Sequence, residues 1–487
     1  MDLIILIKDF SFLLLFLYLV LLISVFSIIT LANRDSYLTL LWLPLVILFP
    51  AWSFIFYLCL GLNISQNKLF NKLSSHYARY DLINGFKANQ TEEAEELIPF
   101  RDRREKIFNL FLKNSSNPFT INNCAKVLTD GKETFREIEK SLLGAKNHIH
   151  LEYYIIRDDK LGNKVKNILI QKAKEGVEVR VIYDWLGSWG IRKRYIRELR
   201  AGGVEVCSFL PIRFPFPFFN SAINYRNHRK IIVVDGETGY LGGLNIGDEY
   251  IGAGKKFHHW RDTHLKIEGE AVSILQKIFL RDWYFVSNEL ISGNKYFPTI
   301  NKQLGRQLIK IVPSGPDLKW KSILQAYFVI LTSAKNYIYL TSPYLIPDES
   351  ILMALKTAAA SGVDVRIIIP GKPDKKIVYY ASLSYLEELM EAGVKIYFYN
   401  KGFIHTKTLI VDGVVCSIGT ANFDRRSFQL NFEVNAFIFS NQVVDKVQKD
   451  FEKDLQESKL INYEEYKNRP LSQKWLEAIF RLFSPFL

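Results

Sequence analysis

The chain has 487 residues, which is long enough to form two sizeable hydrophobic cores. Its net charge of +13 favours an anionic partner, either a lipid surface or a nucleic acid. Its four cysteines have neither paired nor metal-ligand spacing, which excludes a disulfide framework and fits a reducing compartment.

Two long uncharged stretches lie near the beginning of the chain. Residues 10–33 carry no charge, nor do residues 36–66, and each stretch exceeds the roughly 20 apolar residues that cross a bilayer. We predict a transmembrane hairpin over residues 1–67, with spans at about 10–33 and 37–62. A cleaved signal peptide fits poorly, because the first stretch is too long and a second span follows it. Basic residues before and after the hairpin place both termini in the cytoplasm, and with them the rest of the chain.

A duplicated region follows the hairpin. We predict a juxtamembrane linker at 68–120, a first half at 121–300 and a second half at 301–470. The phrase Ala145-Lys-Asn in the first half returns as Ala334-Lys-Asn in the second. Each half has the pattern strand, helix, strand, helix, strand and then a hairpin, which predicts a mixed or largely parallel sheet covered on both faces. The simplest arrangement is an α/β fold whose two halves face each other.

The same motif closes each half. Residues 228–235 read His-Arg-Lys-Ile-Ile-Val-Val-Asp, and residues 405–412 read His-Thr-Lys-Thr-Leu-Ile-Val-Asp. The apolar residues predict a buried strand with the histidine and the lysine on one face. Each aspartate precedes a glycine between two apolar runs, so we interpret the aspartates first as turn residues and second as catalytic groups. The candidate catalytic residues are His228, Lys230, Asp235, His405, Lys407 and Asp412.

These residue types suit the transfer of a phosphodiester. One histidine can attack phosphorus and form a covalent phosphohistidine, while the other protonates the departing alkoxide. The lysines, with Asn245 and Asn422 downstream of the motifs, can stabilise the charge on the non-bridging oxygens. The scheme requires no metal and no cofactor. His258, His259 and His264 are close in sequence but lack partners at metal-ligand spacing.

The paired motifs resemble the two HKD motifs of the phospholipase D superfamily, over about residues 120–460. The segments Tyr225-Arg-Asn-His-Arg-Lys and Trp260-Arg-Asp-Thr-His264 resemble bacterial cardiolipin synthases more specifically. This resemblance implies two pseudo-symmetric phospholipase D-like α/β halves that share one active-site cleft. It also implies that a carboxylate downstream of each motif orients the histidine, Asp262 in the first half and Glu433 in the second. By the same resemblance, His228 is the nucleophile and His405 the general acid and base.

The resemblance implies a phosphatidyltransferase of the bacterial cytoplasmic membrane that makes cardiolipin and glycerol from two phosphatidylglycerol molecules. Two alternatives stay open at this point. Water in place of the acceptor alcohol would give a phospholipase D-type hydrolase or another phosphodiesterase of the superfamily. A non-enzymatic binding protein is the third reading, and the intact histidine and lysine of both motifs argue against it. The two-span anchor favours phosphatidylglycerol and anionic membrane lipid as partners, and no nucleic acid is expected.

Two further segments each allow two interpretations. Residues 209–220 are rich in phenylalanine and proline, which is typical either of an aromatic lip that touches lipid or of a loop packed across the core. Residues 471–487 have apolar side chains at helical spacing with Lys474, Glu477 and Arg481 between them. This segment is either an interfacial membrane helix or a helix packed on the rest of the domain.

Overall fold

The computed structural model describes residues 2–32, 44–50, 52–53, 73–81, 101–114, 117–211, 224–318 and 320–487. The chain divides into two compact units. The first comprises residues 1–73 and 212–225, and the second comprises residues 74–211 and 226–487.

The first unit contains helix α1, Asp2–Ala32. Its described side chains are mostly apolar and exposed. The first predicted span falls almost entirely on α1, whereas much of the second, at about 37–62, lies outside the described residues. Within the part of the chain that the structure describes, none of the helices has the length and apolarity needed to cross a bilayer. The transmembrane hairpin therefore stays a prediction. Most of the aromatic segment, residues 212–220, also lies outside the described residues.

The second unit begins with the elements of the first half. The helices are α2 (Arg101–Asn114), α3 (Gly131–Gly144), α4 (Lys160–Lys174), α5 (Lys193–Ala201) and α6 (Ala271–Ser287). The strands are β1 (Asn123–Asp130), β2 (His148–Tyr153), β3 (Glu178–Asp184), β4 (Glu205–Phe209), β5 (Lys230–Val234), β6 (Thr238–Gly242) and β7 (Trp260–Gly269).

The elements of the second half follow. The strands are β8 (Ile309–Ser314), β9 (Tyr337–Thr341), β10 (Leu345–Ile346), β11 (Asp364–Pro370), β12 (Lys395–Tyr399), β13 (Phe403–Ile404), β14 (Thr408–Val411), β15 (Val415–Gly419), β16 (Phe423–Asp424), β17 (Glu433–Ile438) and β18 (Ser458–Leu460). The helices are α7 (Ser322–Thr332), α8 (Glu349–Ala360), α9 (Lys376–Leu383), α10 (Leu386–Glu391), α11 (Arg425–Gln429), α12 (Asn441–Gln456), α13 (Tyr463–Lys467) and α14 (Leu471–Arg481).

The two halves have the same sheet topology. The first sheet has the order β1-β7-β6-β5-β2-β3-β4, and the second, in the same direction, has the order β8-β17-β15-β14-β9-β11-β12-β18. In each sheet the strands joined by helical crossovers are parallel, and those of the motif hairpin are antiparallel. Strand β13 of the second half pairs with β7 of the first. The duplicated α/β fold is therefore confirmed, with mixed sheets.

One hydrophobic core is common to both halves. Ile231 and Leu241 of the first sheet belong to the same buried cluster as Ile410 and Ile418 of the second. Residues of α6 and α12 complete this cluster. Because the motif strands β5 and β14 both contribute to the shared core, packing fixes the two motifs relative to each other.

The motif strands end in the predicted hairpins. Asp235 and Asp412 have φ angles of 55° and 53°, and the glycines that follow them, Gly236 and Gly413, have φ angles of 71° and 66°. A left-handed pair of this kind is what an Asp-Gly turn between antiparallel strands requires. The chain reverses there from β5 to β6 and from β14 to β15.

Candidate active site

The two motif histidines line a single cleft at the junction of the halves. The cleft has a volume of about 1000 Å³, and Asn245 and Asn422 also line it. The backbone N–H of His228 donates to the carbonyl of Phe432 at 2.9 Å, and that of His405 donates to the carbonyl of Arg261 at 2.7 Å. Each histidine is thus fixed by the main chain of the opposite half.

The side chains of the histidines also bond across the junction. Nδ1 of His228 lies 2.9 Å from Oε2 of Glu433, and Nδ1 of His405 lies 2.7 Å from Oδ2 of Asp262. Both carboxylates are fully buried. The sequence expectation paired each carboxylate with the histidine of its own half, and that pairing is wrong. The fold places the start of β17 beside His228 and the start of β7 beside His405.

The two carboxylates have different supports. Glu433 accepts hydrogen bonds from Oγ1 of Thr420 at 2.6 Å and from Nδ2 of Asn431 at 3.2 Å. Asp262 accepts one from the backbone N–H of Thr263 at 2.8 Å. In the first half the position equivalent to Thr420 is Gly243, where a Cβ would lie 2.1 Å from Oδ1 of Asp262. A side chain at that position would displace the carboxylate that orients His405.

The hydrogen bonds of the histidines define their neutral tautomer. A nitrogen that faces a carboxylate carries the proton, so Nδ1 is the donor and Nε2 keeps its lone pair. Burial lowers the pKa of both His228 and His405 to about 4, against the opposing effect of the adjacent carboxylates. Both rings are therefore neutral near pH 7, in the form that a nucleophile or a general base needs.

The motif lysines lie beside the histidines. Nζ of Lys230 donates to the carbonyl of His228 at 2.8 Å, and Nζ of Lys407 donates to the carbonyl of His405 at 2.6 Å. Burial lowers the pKa of Lys230 to about 7 and that of Lys407 to about 8. Nζ of Lys407 also lies 3.2 Å from Nε2 of His405. Nε2 of His228 has no such neighbour among the described residues.

The two asparagines are held by their surroundings. Oδ1 of Asn245 accepts from the backbone N–H of Ile155 at 3.2 Å, and its amino group, which also contacts Tyr250, has two hydrogens. Nδ2 of Asn422 donates to Oδ2 of Asp424 at 3.1 Å and has a second hydrogen. Both side chains can therefore offer an N–H to an anion in the cleft.

The motif aspartates are located away from the histidines. Asp235 lies seven residues beyond His228, which is about 23 Å along an extended strand. Its carboxylate accepts three backbone N–H bonds of 2.7 to 2.9 Å from residues 146–148. Asp412 accepts three equivalent bonds from residues 335–337. In both halves the carboxylate joins the motif hairpin to the start of the neighbouring strand.

Sequence reasoning missed several residues around the histidines. The ring of Tyr154 lies edge-on to His228 with centroids 4.8 Å apart, and that of Trp260 lies 5.3 Å from His405. Arg229 is buried between the halves, where Nε donates to the carbonyl of Glu433 at 3.3 Å and Nη1 pairs with Asp282. Trp260 stands in a segment quoted for the family resemblance, whereas nothing in the sequence marks Tyr154.

Comparison with known proteins agrees with this geometry. A family model described as "Cardiolipin synthase, PLD-like domain" matches residues 138–283 and 327–455. The chain belongs to the cardiolipin synthase family. A cardiolipin synthase of Alkalihalophilus pseudofirmus is 48% identical over 462 residues, covering 94% of this chain and 91% of the relative. One of Listeria monocytogenes is 44% identical, covering 94% and 95%.

A solved structure supports the fold of this family member. The phosphatidylserine synthase of Haemophilus influenzae superposes with a TM-score of 0.59 at 16% identity. The match covers 78% of this chain and 100% of that enzyme. This chain therefore shares its fold with a phospholipid enzyme that is distant from it in sequence.

Proposed function

We propose that this chain is a membrane phosphatidyltransferase that joins two phosphatidylglycerol molecules into cardiolipin and releases glycerol. The observation that carries this proposal is the pair of histidine–carboxylate contacts, one from each half, at one cleft of a cardiolipin synthase family member. The relatives' name agrees with this activity.

In the first step, Nε2 of His228 attacks the phosphorus of the donor lipid. The bond from phosphorus to the head-group glycerol oxygen breaks, and His405 gives that oxygen a proton, so that glycerol leaves. The phosphatidyl group is then bound covalently to His228. The bound phosphodiester anion and Asp262 both favour the protonated form of His405, against the effects of burial and of Lys407 on its pKa.

In the second step, the acceptor is a hydroxyl of another phosphatidylglycerol. Neutral His405 removes its proton, the oxygen attacks phosphorus, and the bond from phosphorus to His228 breaks. Lys230 and Lys407, with the amino groups of Asn245 and Asn422, hold the non-bridging oxygens in both steps. Asp235 and Asp412 serve the fold through their turns.

The difference between the two histidines supports this division of roles. Phosphorylation of Nε2 makes the ring cationic, and Glu433 opposite Nδ1 of His228 stabilises that charge. Nζ of Lys407 lies 3.0 Å from Nδ1 and 3.2 Å from Nε2 of His405, so its charge opposes the cationic ring that phosphorylation of His405 would create. His228 is therefore the better nucleophile, and His405 the better general acid and base.

The uncharged stretches near the beginning of the chain support a bacterial cytoplasmic-membrane location with spans at about 10–33 and 37–62. The linker at 68–120 would connect this hairpin to halves at 121–300 and 301–470, on the cytoplasmic side.

A topology test uses a single cysteine introduced at Ser36 or Lys174. Labelling from the outside of intact cells should reach Ser36→Cys only, and labelling of Lys174→Cys would reverse the orientation.

The activity itself is tested with purified protein in vesicles that contain labelled phosphatidylglycerol as the sole lipid substrate. Cardiolipin and glycerol in equal amounts are expected. Phosphatidic acid and glycerol would make the enzyme a hydrolase. A phosphatidyl group trapped on residue 228 and absent from a His228→Ala variant would establish the covalent intermediate, whereas its recovery on residue 405 would exchange the two roles.

A further inference from the structure

The apolar face of helix α14 is exposed on the surface of the domain. Leu471 and Trp475 are 74% and 69% exposed, and Leu482, just after the helix, is 61% exposed. The buried residue of the helix is instead a carboxylate, since Glu477 is only 2% exposed. A helix that merely packs on a domain has the opposite distribution, with apolar residues inside and charged residues outside.

A polar network holds the helix in this orientation. Oε2 of Glu477 accepts from Nη2 of Arg469 at 2.6 Å, and Oε1 accepts from the side chain of Gln473 at 2.9 Å. On the same side Phe480 stacks on Tyr380 of α9 at 5.9 Å. Because these contacts fix the inner side, the outer apolar side is a stable feature of the fold. We call Leu471, Trp475, Ile479 and Leu482 the outer face of α14.

The elements next to α14 line the catalytic cleft. Helix α9, on which α14 packs, contributes Ile377 and Val378 to the lining of the cleft. After α14 the chain turns through residues 484–486, and the carbonyl of Leu487 accepts from the backbone N–H of Arg426 at 3.0 Å. Leu487 and Arg426 both line the cleft. Apolar residues of α9 and of the segment after α14 therefore lie between α14 and the active site.

Basic residues outnumber acidic ones around the cleft, whose lining also includes Glu249, Asp374 and Asp424. Lys372, Lys375 and Lys376 are exposed beside the cleft, at the start of α9. Lys474 and Arg481 belong to α14 itself. Arg481 pairs with Glu388 at 2.8 Å, so these two residues together add no net charge. Apolar side chains flanked by lysine and arginine match a layer of acyl chains beneath anionic head groups.

We infer that the outer face of α14 inserts into the surface of an anionic bilayer and places the cleft against the lipid. A phospholipid would then pass from the bilayer along Leu482, Ile377 and Leu487 to the histidines without crossing water. The insertion rests on the exposure and charge of α14, and the passage of substrate rests in addition on the proposed function. A second copy of this chain or its own N-terminal unit covering the same face would be the competing occupants.

Insertion is tested on the full chain in vesicles of phosphatidylglycerol and phosphatidylcholine. Ile479→Cys carries a polarity-sensitive fluorophore, in a background without Cys59, Cys124 and Cys207. Blue-shifted emission and quenching by a lipid with a spin label near the head group are expected. The matched control is a label on Lys174→Cys, an exposed residue of the first half, which should be quenched by aqueous iodide only.

Two results of the fluorescence test would overturn the inference. Quenching of the label at residue 479 by iodide to the same extent as that at residue 174 would show that the face stays in water. A blue shift without quenching by the spin-labelled lipid would show that protein covers the face. Cross-linking between labelled copies would then distinguish self-association from coverage by the N-terminal unit.

A kinetic test separates this inference from the proposed function. The variant Leu471→Ser/Trp475→Ser/Ile479→Ser should lose at least about tenfold in kcat/KM on phosphatidylglycerol in vesicles. Its turnover of a short-chain, monomeric phosphatidylglycerol should equal that of the unaltered protein. The control is Met353→Ser, an equally exposed residue of α8. Equal losses on both substrates would contradict a role of the outer face in docking. If the unaltered protein turned over neither substrate, the proposed function would be refuted. The fluorescence test would still decide whether the face inserts.

Discussion

Replacing Glu433 by glutamine tests the charge opposite the proposed nucleophile. The substitution keeps the size of the side chain and removes its negative charge, 2.9 Å from Nδ1 of His228. With the two charges about 4 Å apart and an effective dielectric constant of about 20, the attraction is about 4 kcal/mol. Attack on phosphorus makes the ring cationic, so this attraction acts on the transition state and is absent from the neutral ground state.

The expected loss follows from that energy. At about 1.4 kcal/mol for each factor of ten, kcat should fall by about 10³. KM should change little, because the neutral ring before attack interacts weakly with the carboxylate. The assay measures release of labelled glycerol from phosphatidylglycerol in detergent micelles over a range of substrate concentrations. Glu270→Gln is the control, since that carboxylate accepts two backbone N–H bonds on the outside of the domain.

Two results would refute this reasoning. A fall in kcat of less than about tenfold would mean that Glu433 contributes no important charge to the transition state. A large rise in KM with unchanged kcat would mean that the carboxylate acts on substrate binding. A normal denaturation midpoint for Glu433→Gln is needed in either case, because the carboxylate also accepts from Thr420 and Asn431.

Three further predictions concern the motifs. His228→Ala and His405→Ala should each abolish cardiolipin formation, and substantial turnover by either variant would exclude the two-histidine scheme. Asp235→Asn should lower the free energy of unfolding by about 2 kcal/mol, since charge-assisted bonds to three backbone N–H groups are weakened; a normal denaturation curve with lost activity would instead make Asp235 catalytic. Because burial lowers the pKa of Lys230 to about 7, this lysine loses its charge as pH rises through that value. The alkaline fall in kcat/KM should therefore move to higher pH in Lys230→Arg, and an unmoved fall would assign it to another group.

The duplicated halves and their motifs could be predicted because each rests on local patterns. Alternating strand and helix signals give the order of elements, and an Asp-Gly pair between apolar runs gives the hairpin. A tight turn between antiparallel strands requires positive φ angles, which an Asp-Gly pair adopts readily. Asp235 and Asp412 have such angles, and for this reason the turns could be predicted from the sequence. The same periodicity places each histidine and its lysine on one face of the strand.

The crossed pairing of histidines and carboxylates could not be predicted. Asp262 and Glu433 follow their own motifs in the chain, and nothing local indicates that each crosses to the other half. The shared core between β5, β6, β15 and β17 determines this pairing.

Helix α14 presents the same difficulty, because apolar spacing shows that a helix has two faces but does not say which one packs on the domain. The burial of Glu477 and its ion pair with Arg469 show that the polar face is the inner one.

The crossed pairing also determines when the protein becomes reactive during its synthesis. His228 receives its carboxylate from a residue 205 positions further along the chain. A ribosome that has completed the first half has therefore produced a histidine without the partner that would stabilise its phosphorylated form. Under the proposed mechanism, a nascent chain would be able to attack lipid efficiently only after β17 has been made and has folded against the first half. By the same mechanism, incomplete products that lack this strand would be inactive, so the order of translation would delay reactivity until the chain is nearly complete.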